Sequence, residues 1–201
     1  MSAAPSDRPV GGPLPWPPDG VPAWVEAIRR ADRPHVIHMC GLPGSGKTRL
    51  ALRLEKTLPA VRFNADEWII PLFGEHMPRA VFDRRFAAVE ALAWRTAERL
   101  LELGIHVVLD YGCWTRASRA AAVRQAVTVG AVPLLVFLDI PRVELERRLA
   151  RRNEAGGVGS FEITPEMLDL FAARFEPPSA DERLSLVRVG PTGDEALPGG
   201  A

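Results

Sequence analysis

The chain predicts an α/β fold built on a parallel sheet, and three features point to it. Short apolar runs alternate with longer helical patterns, as strand-helix-strand crossovers require. A glycine-rich stretch, "GLPGSGKT" at residues 41–48, separates the first apolar run from the first long helical pattern. Later runs end at or just before an aspartate, and open parallel sheets bind their ligands outside those strand ends.

At 201 residues the chain is expected to form one domain with tails. Its 47% hydrophobic and 25% charged content is that of a globular protein rather than a disordered one. Lys plus Arg equals Asp plus Glu at 25 each, so no global positive field recruits nucleic acid or an anionic membrane. Cys40 and Cys113 belong to no paired-cysteine motif and read as reduced core thiols. The amino terminus lacks an apolar signal core, and no run reaches the roughly 18 residues a membrane span needs. A cytoplasmic protein with no membrane partner is the expectation.

In chain order, residues 1–22 are rich in Pro and Gly and read as a flexible arm, and "VPAWVEAIRRA" (21–31) as a short amphipathic helix. Strands are expected at 35–40, 60–65, 106–111, 132–139 and 184–189, because each is a short apolar run bounded by turn residues. Helices are expected at 47–58, 79–104, 116–130, 141–153 and 165–175. The second of these stops at Gly104, and the last opens with Pro165 in its first turn. Residues 191–201 read as another flexible tail, which leaves a body at 23–190.

Gly41-Leu42-Pro43-Gly44-Ser45-Gly46-Lys47-Thr48 fits the phosphate-binding Walker A pattern, with a strand before it and a helix after it. The glycines permit a tight backbone path that aims successive N–H groups at phosphate oxygens, and the helix start adds its positive dipole end. In that chemistry Lys47 contacts the β and γ phosphates of ATP, and the Thr48 hydroxyl ligates Mg2+.

Asp66 ends the second apolar run, 19 residues beyond Lys47. It reads either as a base that takes a hydroxyl proton or as the cap of a helix over "EWIIPLF", with Glu67 an alternative base. Asp110 ends "VVLD" and resembles a carboxylate that holds Mg2+ through water, beside the plainer reading of a turn aspartate. Asp139 reads chiefly as a cap for the next helix. Arg148 and Arg152 are one turn apart on one helix face and could reach phosphates, and the glycine-rich stretch at about 153–164 reads as a mobile lid. His38 and His106 lie in apolar strands and read as hydrogen-bonded core residues. Trp68, Trp94 and Trp114 read as core or rim aromatics.

Taken together, "GLPGSGKT", "FNADEW", "VVLDYGCWTRASR" and "RRLARRN" with "FEITPEMLDLFAARFEPPSADE" resemble the AAA-type P-loop kinases of the zeta-toxin, chloramphenicol phosphotransferase and polynucleotide kinase kind, over about residues 35–185. The resemblance implies a doubly wound P-loop fold with five parallel strands in the order 2-3-1-4-5, helices on both faces and a lid. It implies transfer of the ATP γ-phosphoryl group to a hydroxyl, with Asp66 as general base and Arg152, together with Arg148, as lid arginines. Polynucleotide kinases place an arginine three residues after the catalytic aspartate, whereas this chain has Ile69. That departure disfavours a nucleic acid acceptor.

The sequence therefore points to a magnesium-dependent kinase acting on a small-molecule hydroxyl, with antibiotics and sugar-containing metabolites as candidate classes. The rivals are a polynucleotide or nucleotide kinase and a nucleotide-binding ATPase switch. No oligomerisation motif is present.

Overall fold

Val, Ile and Leu dominate both faces of the central strands because helices cover the sheet on both sides. The computed structural model describes residues 20–74, 76–154, 161–191 and 195–196. Five strands, β1 (His35–Cys40), β2 (Ala60–Phe63), β3 (His106–Leu109), β4 (Val132–Leu138) and β5 (Leu186–Val189), run parallel in the order β2-β3-β1-β4-β5. This is the order the resemblance implied. β1 lies centrally, with Val36 opposite Val107 on one side and Met39 opposite Val136 on the other.

A sixth strand, β6 (Glu195–Ala196), pairs antiparallel with β5 at the sheet edge. It lies within the segment expected to be a tail, and two residues carry no periodic signal. The remainder of the expected tail, residues 1–19 of the expected arm, and residues 155–160 of the expected lid lie outside the described residues.

The helices are α1 (Ala23–Arg29), α2 (Lys47–Thr57), α3 (Asp66–Phe73), α4 (Arg79–Glu102), α5 (Arg116–Thr128), α6 (Arg142–Glu154) and α7 (Pro165–Arg174). Their ends follow local chemistry. Thr115 and Ser118 form a reciprocal capping box at the start of α5, and the Thr164 hydroxyl accepts the Met167 N–H at the start of α7. Gly104, at φ 77°, ends the α4 run where a side chain would be strained.

Alternation along β1 sorts the core into two layers. Ile37 and Met39 face α1 and α2, meeting Trp24, Val25, Ile28, Leu50 and Leu54. Leu54 is completely buried there, which is worth roughly 1.5–3 kcal/mol. Val36 faces α4 and α5, against Leu101 and against Ala93, Ala97 and Ala126, whose small side chains suit close packing of those helices on the sheet. Val21, inside the segment expected as an arm, packs against the first layer.

A buried ion pair fastens the carboxyl-terminal half. Arg119 of α5 meets both carboxylate oxygens of Glu182 at 2.7 and 2.8 Å and donates to the Glu176 carbonyl at 2.7 Å. Both side chains are almost fully enclosed, a burial tolerable because the guanidinium is so fully hydrogen-bonded.

The order β2-β3-β1-β4-β5 makes the chain change direction at β1, so the loops after β1, β2 and β3 converge in one crevice. Cys40 and Cys113 are buried free thiols, and the Cys40 Sγ–H donates to the Cys113 carbonyl at 3.2 Å. No helix among the described residues is long and apolar enough to cross a membrane.

Candidate functional site

The loop after β1 follows a path with three glycines at positive φ, Gly41, Gly44 and Gly46, and at the first two a side chain would also meet close neighbours. Gly41 and Gly44 have φ of 139° and 80°. A Cβ at Gly41 would lie 2.9 Å from the Leu138 carbonyl, and one at Gly44 would lie 2.9 Å from Leu149 and 3.2 Å from the Leu145 carbonyl. The cradle is thus pressed between the end of β4 and α6. Gly46 precedes α2 in the left-handed region, and among the described residues no side chain caps the first turn of that helix.

Lys47, the first residue of α2, curls back over the loop. Its Nζ donates to the Gly41 and Leu42 carbonyls at 2.8 and 3.0 Å. Burial pulls its ammonium down to about 8, against the opposing pull of Asp110, Cys40 and Asp66. Pro43 and Gly44 form the turn that Ser45 N–H closes on the Leu42 carbonyl at 3.2 Å.

Asp110 follows β3 directly and is buried. Its Oδ1 accepts from the Thr48 hydroxyl at 3.3 Å, while its Oδ2 accepts from Asn64 Nδ2 at 2.7 Å and Arg62 Nη1 at 3.0 Å. Burial pushes its carboxyl up, and the Asn64 hydrogen bond and the Arg62 charge oppose that. A hydroxyl and a carboxylate of this kind are hard oxygen donors that suit Mg2+ carried by phosphates. Among the described residues, no group of three His, Cys, Asp or Glu side chains could hold a metal alone.

Asn64 decides the fate of the next two residues. Its Oδ1 accepts the N–H groups of Asp66 and Glu67 at 2.9 and 3.3 Å, which turns the chain out of β2 and starts α3. The strand expected to reach residue 65 therefore stops at Phe63, and Asn64, not Asp66, caps the helix. Glu67 is paired with Arg62. The Asp66 carboxyl has no hydrogen-bond or ion-pair partner among the described residues. Burial first, then the Asp110 charge, push its carboxyl up, while Lys47 and Arg152 pull it down.

Arg152 donates to the Phe161 carbonyl at 3.0 Å, and the field of Asp66 acts on its half-buried guanidinium. Arg148 takes a different post. It pairs with Glu144 at 2.6 Å and braces the cradle through the Ser45 carbonyl at 3.0 Å. Asp139 turns away from the cradle and pairs with Arg188 of β5 at 2.8 Å. His106 Nδ1 accepts the His35 N–H at 2.9 Å, whereas the buried His38 finds no partner for Nε2 among the described residues.

Lys47, Thr48, Asp66, Asp110 and Arg152 thus meet in one crevice. The sequence reading missed Arg62 and Asn64. A signal for the first was available, since Arg62 is the one charged residue in the run "AVRF".

A family model described as an AAA domain, AAA_33, matches residues 36–178. The chain belongs to this family. This AAA domain shares its fold with a candidate kinase from Chloroflexus aurantiacus (TM-score 0.61, 21% identity, covering 79% of this chain and 86% of that one). It is similar also to Kti12 of Chaetomium thermophilum in complex with ADP-AlF3 (0.59, 19%, 79% and 90%) and to the Mycobacterium tuberculosis APS kinase CysC in complex with AMPPNP and APS (0.52, 23%, 80% and 90%). No curated protein is similar in sequence to this AAA domain.

Proposed function

We propose that this AAA domain is a kinase that transfers the γ-phosphoryl group of ATP to a hydroxyl of a small molecule. The observation that carries the reading is the division of labour between two adjacent carboxylates. Glu67 is tied to Arg62, while Asp66, with no hydrogen-bond or ion-pair partner among the described residues, lies between the fields of Lys47 and Arg152. A base must be unengaged and close to the cationic groups that receive the phosphoryl charge, and of these two carboxylates Asp66 satisfies both demands. The APS kinase likeness lends analogy, since that structure carries AMPPNP together with APS.

In this reading the backbone N–H groups of residues 44–48 and the Lys47 ammonium hold the β and γ phosphates of ATP. Mg2+ bound among those phosphates, the Thr48 hydroxyl and water on Asp110 would offset the negative charge of the leaving ADP. Asp66 accepts the acceptor hydroxyl proton as that oxygen bonds to the γ phosphorus and the bond to the bridging oxygen breaks. Arg152 stabilises the transferring group, and Arg148 adds charge while holding the Ser45 carbonyl. Ile69, at the position where polynucleotide kinases carry an arginine, is completely buried in an apolar cluster, which supports a small-molecule acceptor over a nucleic acid end.

The test uses wild type, Lys47→Ala, Asp66→Asn and Glu67→Gln with ATP, Mg2+ and a library of hydroxyl-bearing antibiotics, sugars, nucleosides and short RNAs, with products weighed by mass spectrometry. A phosphate-sized gain that requires Lys47 and Asp66 but survives Glu67→Gln is expected. The Asp66→Asn loss should be roughly 10²–10⁴-fold with ATP binding intact. Retained transfer by Asp66→Asn would remove it from the base role, and ATP loss that no acceptor stimulates would favour an ATPase switch.

A further inference from the structure

We infer that Arg62 is a positioning residue that orients the Asp110 carboxylate toward Thr48, and so toward the metal of a bound magnesium nucleotide. The inference rests on the kinase reading only for what the oriented carboxylate serves.

Arg62 lies on β2 with its side chain only 6% exposed, and the Asp110 side chain is 1% exposed. Two donors converge on Asp110 Oδ2, Arg62 Nη1 at 3.0 Å and Asn64 Nδ2 at 2.7 Å. With that oxygen engaged twice from the β2 side, the carboxylate plane is fixed and Oδ1 is turned to the Thr48 hydroxyl at 3.3 Å. The guanidinium is itself aimed from two further sides. Nη2 is bonded to Glu67 at the start of α3, and Nε lies 3.5 Å from Glu55 of α2.

One planar fork thus gathers carboxylates from the end of β3 and from the two helices that flank β2. A lysine could not reproduce this. Its ammonium is a point donor, whereas the two Nη groups of arginine serve Asp110 and Glu67 in fixed relative directions. Arg62 also supplies positive charge beside a buried carboxylate that must face the cradle. The plainer account is that Arg62 only fastens β2 to its neighbours. The two accounts differ in one measurable respect: a fastening residue affects folding, whereas an orienting residue also alters how strongly Mg2+ assists nucleotide binding.

The experiment is calorimetric titration of the full chain with AMPPNP, with Mg2+ and with EDTA, for wild type, Arg62→Lys, Arg62→Met and Asp110→Asn, each checked by thermal melting. Wild type should bind the magnesium complex more tightly than the metal-free nucleotide. Arg62→Met should shrink that ratio by about tenfold or more, as loss of a group that orients a metal-supporting carboxylate does, with metal-free affinity within about twofold. Arg62→Lys keeps the charge and is the variant to read if Arg62→Met fails to fold; it should lose a large part of the ratio. A wild-type ratio near one overturns the inference, as does a wild-type ratio in Arg62→Lys or in a folded Arg62→Met. Because the readout is binding, failure of the kinase reading would show separately, as absent phosphate transfer alongside a magnesium ratio that still depends on Arg62.

Discussion

The carboxamide oxygen of Asn64 accepts the backbone N–H of Asp66 at 2.9 Å, while the same side chain's nitrogen donates to Asp110 at 2.7 Å. A single residue thereby caps α3, relieves Asp66 of capping and steadies the carboxylate that faces Thr48. Asn64→Ala should destabilise the protein by about 2 kcal/mol or more, from a lost cap and a donor removed from a buried carboxylate. Asn64→Ser can still cap but is too short to reach Asp110, so its loss should be intermediate. Urea unfolding of the two variants checks this; equal losses would mean that the cap contributes nothing.

Lys47 offers a prediction about protons. Burial pulls its ammonium down to about 8, so near that pH a good part of the nucleotide-free protein carries a neutral Lys47. Triphosphate oxygens beside the amine favour its charged form, so ATP binding at pH 8 should take up a fraction of a proton. Calorimetry in two buffers of different ionisation enthalpy measures that fraction directly. The uptake attributable to Lys47 should shrink at pH 6.5, where the amine is already charged, and Lys47→Ala should lack it. Identical proton uptake in Lys47→Ala and wild type would mean that the amine is already charged without nucleotide or lies away from the phosphates.

Much of this architecture is legible locally. β1 and its glycine loop are read from adjacent residues, because an apolar run, a tight turn and a helix start each carry their own signal. The five-strand frame follows from apolar runs that must be covered on both faces, and Gly104 and Pro165 mark helix ends through backbone preference alone. What escaped depends on partners distant in sequence. Arg62 and Asp110 are 48 residues apart, and Arg119 and Glu182 are 63 apart, so no window of sequence contains either pair. The Asp66 ambiguity had the same origin in miniature. Asp66 could be read as a base or as the cap of the next helix, and the Asn64 side chain, which accepts the Asp66 N–H and donates to Asp110, takes the capping role instead. Arg148 was read from its shared helix face with Arg152, but periodicity does not reveal that Glu144 and the Ser45 carbonyl already engage it.

Glu90 makes the stability of the fold depend on pH. It projects from α4 with no hydrogen-bond partner among the described residues, and burial pushes its carboxyl up to about 7 from an ordinary value of 4.5. Burial is the main cause that pushes Tyr111 and Cys113 up, and the Glu90 charge adds to it, which sets Glu90 beside the segment after Asp110. Between pH 4.5 and 7 the folded chain keeps a proton that the unfolded chain has released. Stability from this group is therefore fully present below pH 4.5, falls as pH rises, and is lost above about 7. Glu90→Gln removes the charge that must be buried, so it should raise stability at pH 8 relative to its effect at pH 4.5. Solvent screening at this partly exposed site reduces the gain to about 1 kcal/mol. Urea denaturation of both proteins at the two pH values measures it. A gain that does not change with pH would show that Glu90 titrates as an ordinary surface carboxylate, and a loss at pH 8 would show that its ionised form is stabilised rather than penalised.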